Sequence, residues 1–310
     1  MYMSRAFLFP GQGSQKVGMG KDLFNASKHA KERYEKANDI MGMDLANLSF
    51  YGPDEKLRQT EFTQPAIFVL SMIIAELLIK NDVKPSFVAG HSLGEYSALT
   101  IAGVFNFEDG LRLVKIRGKA MSMLSHNNIG SMAAIVGLDA SKVSKICETA
   151  STNKQVVVPA NLNCQDQIVV SGHIGAINRV IELADAKGAK KAIKLNVSGA
   201  FHSPYMSAAK STLKNALYEI TLKKANFPIV MNVVAQQVTK PKLILKNLIS
   251  QIDNPVYWSE TIFNLRKSGV DDYIEVGPGR VLQGLNRRID RSLKTRGVEK
   301  YEQIKELKIV

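Results

Sequence analysis

The sequence predicts an α/β fold: a mostly parallel sheet covered by helices, with a smaller unit inserted into it. Three observations predict this. Short apolar runs of strand character alternate with longer helical patterns toward both ends of the chain. The middle third changes rhythm, to strand, helix, strand, strand, helix, strand. Two of the early strands, Arg5–Phe9 and Ser86–Gly90, run straight into glycine-bearing loops.

Arg5–Phe9 opens into Pro10-Gly11-Gln12-Gly13-Ser14-Gln15. Glycines just after a strand let the backbone approach a neighbour closely. A phosphate is not that neighbour: no Gly-Lys-Ser/Thr follows, and Lys16 stands where a dinucleotide loop needs its third glycine. Without a partner elsewhere in the chain, the loop reads as a tight connection. A helix is expected over Gly20–Met41 and another over Thr63–Lys80. The apolar run Ala66–Ile79 is interrupted by Ser71 and Glu76 and is too short to span a bilayer, so it reads as a buried helix. Ser86–Gly90 is the next strand, with a helix from Ser92 after it.

The insert begins with a strand at Ser131–Leu138 and a helix at Ser141–Ser151, capped by Asp139 or Ser141. Strands at Val156–Asn161 and Gln167–Ser171 flank a polar turn. A helix at Ile174–Lys187, closed by Gly188, leads to a last strand at Lys191–Val197. The order βαββαβ is a split, ferredoxin-like unit. Residues 129–197 are therefore expected to form an insert domain in a discontinuous domain of residues 1–128 and 198–310. Asp272–Val276 returns to the main sheet, followed by a helix at Gly279–Ile289. The last twenty residues are charged and expected to pack loosely.

Of 310 residues, 45% are hydrophobic and 22% charged, which is globular composition. Two cysteines, Cys147 and Cys164, make no disulfide framework and sit in no metal-ligand spacing, so a reducing, cytoplasmic setting is expected. The run Ala6–Pro10 is too short for a signal peptide. The formal charge of +13 comes from scattered lysines without interleaved aromatics. That disfavours nucleic acid and suits an acidic protein or a phosphorylated small molecule. No metal, no bound cofactor and no membrane are expected, and the chain is expected to be a monomer.

Gly90-His91-Ser92-Leu93-Gly94 is G-x-S-x-G with a strand before it and a helix after it, the setting of a nucleophile elbow in hydrolase-like sheets. The alternative is that Ser92 only caps the helix Leu93–Ala102. A nucleophilic serine needs a base. His29, His126 and His173 read as surface residues, and His91 should point away from its neighbour Ser92. His202, in Ser198-Gly199-Ala200-Phe201-His202-Ser203-Pro204 after the insert, is the best candidate. Arg117 is out of place: it falls inside the apolar stripe of Leu113, Val114, Met121 and Leu124. A buried guanidinium needs a carboxylate, from the protein or from a ligand.

These segments carry a resemblance. GQGSQ, TQPA at Thr63–Ala66, GHSLGE, Ile116-Arg117-Gly118, GAFHSP, NPVYW at Asn254–Trp258 and EVGPG at Glu275–Gly279 resemble the malonyl-CoA:acyl carrier protein transacylase family, in its order and spacing. The resemblance implies an α/β hydrolase-like domain with a ferredoxin-like insert, and two substrates, malonyl-CoA and phosphopantetheinylated acyl carrier protein. It implies Ser92 as nucleophile, His202 as base, and the backbone N–H groups of Gln12 and Leu93 as oxyanion donors. Arg117 would clamp the malonyl carboxylate, and the backbone carbonyl of Gln251 would orient His202, so that the Gln251 side chain is expected to matter little. Phe201, Met121, Gln167 and Gln64 are assigned to the acyl pocket, with Phe201 crowding a branched acyl group. The basic run Lys187–Lys194 is a candidate contact for an acidic carrier.

Two other classes use the same serine and histidine. A serine thioesterase or hydrolase is disfavoured by Arg117 in the stripe and by the lack of an evident acid. A non-catalytic carrier-binding protein is disfavoured by the presence of both Ser92 and His202. A polyketide extender-unit acyltransferase is the nearer alternative; the chain length favours fatty acid synthesis.

Overall fold

The computed structural model describes residues 4–125, 129–197 and 199–307. Its strands are β1 (Arg5–Phe9), β2 (Phe87–Gly90), β3 (Gly130–Val136), β4 (Val157–Cys164), β5 (Gln167–His173), β6 (Lys191–Lys194), β7 (Ile229–Val230), β8 (Gln237–Val238), β9 (Asp272–Val276) and β10 (Thr295–Val298). They form two sheets, in the orders β10-β9-β1-β2-β7-β8 and β4-β5-β3-β6. Every neighbouring pair of the larger sheet is parallel except β7 with β8. Helices cover both faces, which is why Ala6, Phe7, Leu8 and Phe9 are all buried instead of alternating.

The helix Thr60–Lys80 is long and apolar enough to cross a membrane, yet 83% of its apolar window is buried inside the fold. It packs against the helix Phe107–Ser125, which carries Arg117. The single helix expected over Gly20–Met41 is two helices, Lys21–Ala26 and Lys28–Met41. They part at Ser27, whose backbone is extended and whose hydroxyl accepts the Ala30 N–H, as an N-cap does.

The smaller sheet is antiparallel, with the helices Ala140–Ala150 and Ile174–Ala186 on one face. Asp139, not Ser141, caps the first of these, accepting the Lys142 N–H. Alternation along β3 divides the work. Ala133 and Ile135 enter the core under these helices, with Val143, Ile146 and Val180. Met132 and Ala134 face the opposite way, into a cleft against the larger sheet.

Up to residue 307 the tail is not loosely packed; residues 308–310 lie outside the described residues. Residues 295–298 are β10, paired parallel to β9, and Ile304 in the helix Tyr301–Leu307 is buried. The charges that made the tail look solvated lie on its outer side or find partners: Arg296 donates to both oxygens of Asp272 at 3.0 Å.

Candidate active site

The register of β1 beside β2 pairs Phe9 with Gly90, so the loops that follow them leave the sheet at the same edge. They pack tightly. A Cβ on Gly11 would lie 2.6 Å from the His91 carbonyl oxygen. A Cβ on Gly90 would lie 2.0 Å from the Gly94 carbonyl carbon, and one on Gly94 2.0 Å from the Phe9 carbonyl oxygen. Both glycines of the elbow are therefore steric requirements, and Gly11 brings the Pro10–Gln15 loop against the elbow.

Between them Ser92 sits at φ 53°, a strained backbone for a non-glycine residue. Asn232, two residues beyond β7, holds it there. Its Oδ1 accepts the Ser92 N–H at 2.7 Å, and its Nδ2 donates to the Gly90 carbonyl at 2.6 Å. Ser92 does not cap the following helix Gly94–Ile101, whose N-cap is Leu93 and has no side-chain cap.

The Ser92 hydroxyl meets His202 Nε2 at 2.7 Å. His202 also has a positive φ, 57°, which turns its ring from the loop back toward the elbow. Its Nδ1 lies 2.9 Å from the Gln251 carbonyl and 3.2 Å from that of Asn254. Carbonyls only accept, so Nδ1 carries the proton and Nε2 is left as the acceptor for the serine. Burial, and then the nearby Arg117 charge, push the imidazole pKa down to about 3, so the ring is neutral.

Arg117 is 1% exposed and touches no carboxylate among the described residues. Nη1 donates to Gln64 Oε1 at 2.7 Å; Nη2 donates to Gln251 Oε1 and to Ser92 Oγ, each at 3.0 Å. Its Nε has no partner among the described residues. The guanidinium thus sits beside the nucleophile with only uncharged acceptors.

The acyl transferase domain family matches residues 6–308. The malonyl CoA-acyl carrier protein transacylase of Staphylococcus aureus (strain COL) is 40% identical over 300 residues, 97% of either chain. The chain belongs to the malonyl CoA-acyl carrier protein transacylase family. The solved transacylase of Coxiella burnetii superposes with a TM-score of 0.96 at 38% identity, covering 98% of this chain and 96% of that one. A malonyl-transacylase solved in complex with its type II PKS acyl-carrier protein superposes at 0.94, with 38% identity and 97% of each chain covered.

In this transacylase fold, Ser92, His202 and Arg117 open into a cleft of about 250 Å³. Gln12, Leu93, Gln64, Met121, Gln167 and Phe201 line it as well. The backbone N–H groups of Gln12 and Leu93 donate to no protein acceptor among the described residues. Gln12 is anchored by its side chain, which donates to Thr60 Oγ1 at 3.2 Å. Gln64 Nε2 lies 3.5 Å from the Met121 sulfur. Gln167 stands at the rim, where Arg288 Nη1 donates to its Oε1 at 2.5 Å. No cluster of metal-ligating side chains occurs among the described residues.

Among the other histidines, His91 turns away from Ser92 as expected, to Asn163 Oδ1 at 2.9 Å. His29 is not simply solvated: its Nε2 meets Glu76 at 2.6 Å. His173 caps the helix Ile174–Ala186 by accepting the Gly175 N–H at 3.0 Å. His126 lies outside the described residues.

Besides Asn232, two features are not expected from the sequence. The Gln251 side chain, expected to matter little, is fully buried, and its Nε2 donates to the Ser92 carbonyl at 2.9 Å and to Glu95 Oε1 at 3.1 Å. Glu95, the last residue of GHSLGE, is also fully buried, and its Oε2 accepts the Asn232 N–H at 2.6 Å. Two accepting oxygens are the pattern of an ionised carboxylate: burial pushes the Glu95 pKa up, and the Asn232 N–H, the Arg117 charge and the Gln251 amide pull against it.

Proposed function

We propose that the chain transfers a malonyl group from malonyl-CoA to the phosphopantetheine thiol of acyl carrier protein, through a malonyl ester of Ser92. The observation that carries this reading is the placing of one hydroxyl between a neutral imidazole and a guanidinium that has no carboxylate partner. Such a guanidinium matches a carboxylate in two parallel hydrogen bonds. Malonyl presents a carboxylate one methylene from the thioester carbonyl.

In the first half-reaction His202 Nε2 takes the Ser92 proton as Oγ bonds to the thioester carbon. The N–H groups of Gln12 and Leu93 receive the negative charge on oxygen, where one such donor contributes about 3 kcal/mol. The C–S bond breaks, and the sulfur of CoA leaves with the proton from His202. The second half-reaction runs the same steps in reverse with the carrier thiol as nucleophile. A thiol is an easier leaving group than an amine, which fits an imidazole oriented by neutral carbonyls instead of a carboxylate. Water has to be kept from the ester, and the sheet face carrying Met132 and Ala134 walls the cleft.

We read residues 1–128 and 198–310 as the catalytic unit and 129–197 as an insert that closes the cleft. The run Lys187–Lys194 is the proposed carrier contact: Lys190, Lys191 and Lys194 are exposed, and the chain continues from them to the cleft residues Leu195 and Val197. Fatty acid synthesis is the pathway this reaction supplies. The test is intact mass spectrometry after mixing with malonyl-CoA. A malonyl adduct mapping to Ser92, and none on Ser92→Ala, is expected; an unmodified wild-type protein contradicts the reading.

A further inference from the structure

Glu95 occupies the first turn of the helix that follows the elbow, a common place for an acidic residue because the helix N-terminus favours negative charge. Such residues normally face solvent. Glu95 is instead fully buried, and neither oxygen serves its own helix. Burying a carboxyl is costly; among the described residues Glu95 makes no direct ion pair, and the Arg117 charge offsets the cost only from the far side of the Gln251 amide. Its two hydrogen bonds go to two residues that themselves reach the nucleophile. Asn232 grips the elbow at Ser92 N–H and Gly90 O. Gln251 touches Arg117 and the Ser92 carbonyl.

The Gln251 amide can be placed in two ways, with its oxygen or its nitrogen toward Arg117. A guanidinium has no acceptor, so only the oxygen can face it usefully. The opposite side of the amide must then meet acceptors, and it does: the Glu95 carboxyl and the Ser92 carbonyl. Glu95 therefore lies one amide away from Arg117, close enough to fix its partner but not in contact with it. A carboxylate in direct contact would occupy the guanidinium that an incoming carboxylate needs.

We infer that Glu95 is a positioning residue: through the Gln251 amide it holds Arg117 beside Ser92 with its charge left free for the acyl carboxylate. This rests on the malonyl-transfer reading above. It makes a specific demand on chemistry. Both Glu95 oxygens face N–H donors, so a glutamine in its place would turn its own N–H₂ toward one of them.

The experiment compares acylation of Ser92 by malonyl-CoA and by acetyl-CoA, followed by intact mass in wild type, Glu95→Gln and Gln251→Met. Gln251→Met keeps the backbone carbonyl that holds His202 and removes only the amide relay. We expect the malonyl-to-acetyl rate ratio to fall about tenfold in each variant, with the malonyl-CoA KM raised more than kcat is lowered. The double variant should be no worse than the single ones, because both break the same relay. If the two rates fall in parallel and the ratio holds, Glu95 only supports the elbow and the inference is overturned. Unchanged rates overturn it equally. Should Glu95→Gln fail to fold, the ratio in Gln251→Met decides. Failure of wild type itself to take up malonyl would strike the functional reading instead, which separates the two.

Discussion

Arg117 and His202 meet on one atom: Nη2 of the arginine and Nε2 of the histidine lie 3.0 and 2.7 Å from the Ser92 hydroxyl. A cation and a base sharing one oxygen oppose each other, since the guanidinium charge disfavours a second proton nearby. When an acyl carboxylate takes up that charge, the imidazole should become a stronger base. In the free protein, burial should keep the His202 pKa low, and Arg117→Ala should raise it only part of the way toward that of an ordinary histidine, measurable by NMR of labelled imidazole. A His202 pKa that does not move in this variant would mean that burial alone sets it.

The same replacement should cost malonyl-CoA about 100-fold in kcat/KM, the scale of a charge-assisted bidentate contact, while acetyl-CoA loses far less. Steady-state kinetics with both thioesters check this. Equal losses for the two would remove Arg117 from acyl recognition and leave it a role only at the serine.

His202 also makes a prediction about stability. Its folded pKa is depressed to about 3, against the ordinary 6.5, so below pH 6.5 the unfolded chain binds a proton that the folded one does not. Stability contributed by the neutral, buried ring is present above pH 6.5 and declines as pH falls toward 3, by up to about 1.4 kcal/mol per pH unit. Urea unfolding of wild type and His202→Ala at pH 4.5 and 6.5 should show a steeper pH dependence in wild type. Parallel curves would contradict the depressed pKa.

The elbow was legible from the sequence because its requirements are local, whereas the neighbouring loop alone reads as a tight connection. Gly90, Ser92 and Gly94 stand at fixed spacing between a strand and a helix, and the parallel pairing of β1 with β2 is what an alternating pattern implies. Asn232 was not legible. It acts on Ser92 only because β7 lies next to β2, and β7 is two residues long. The Gln251 side chain was passed over for a related reason: a backbone carbonyl was enough for His202, and nothing in the chain order signals that Glu95 and Arg117 converge on the same amide. Charge density alone suggests a solvated tail, but Val298 and Ile304 give it an inner face.

Phe201, half of a Phe-His pair in the cleft and 6% exposed, should exclude a methyl branch at the acyl carbon. Phe201→Ser should raise methylmalonyl-CoA turnover relative to malonyl-CoA at least several-fold, as removal of an aromatic side chain opens the site. Comparable use of both substrates by wild type would refute this selectivity.

The net charge of +13 can attract either anionic substrate, whereas the lysines from Lys187 to Lys194 are the proposed contact for the carrier alone. Raising salt from 50 to 300 mM, about a twofold shortening of the screening length, should slow transfer to an acidic carrier more than acylation by malonyl-CoA. Stopped-flow or quenched measurements of the two halves, made separately, give the comparison. Equal salt effects on both would argue against steering.

Single-turnover discharge of the isolated malonyl-protein separates a transferase from a hydrolase most directly. Ser92 is loaded with malonyl-CoA, excess thioester is removed, and loss of the adduct is followed by mass with and without phosphopantetheinylated carrier. Rapid transfer of malonyl to the carrier thiol and slow loss to water are expected. An adduct that disappears at the same rate in buffer alone, yielding free malonate, would mark the protein as a hydrolase and contradict the malonyl-transfer reading.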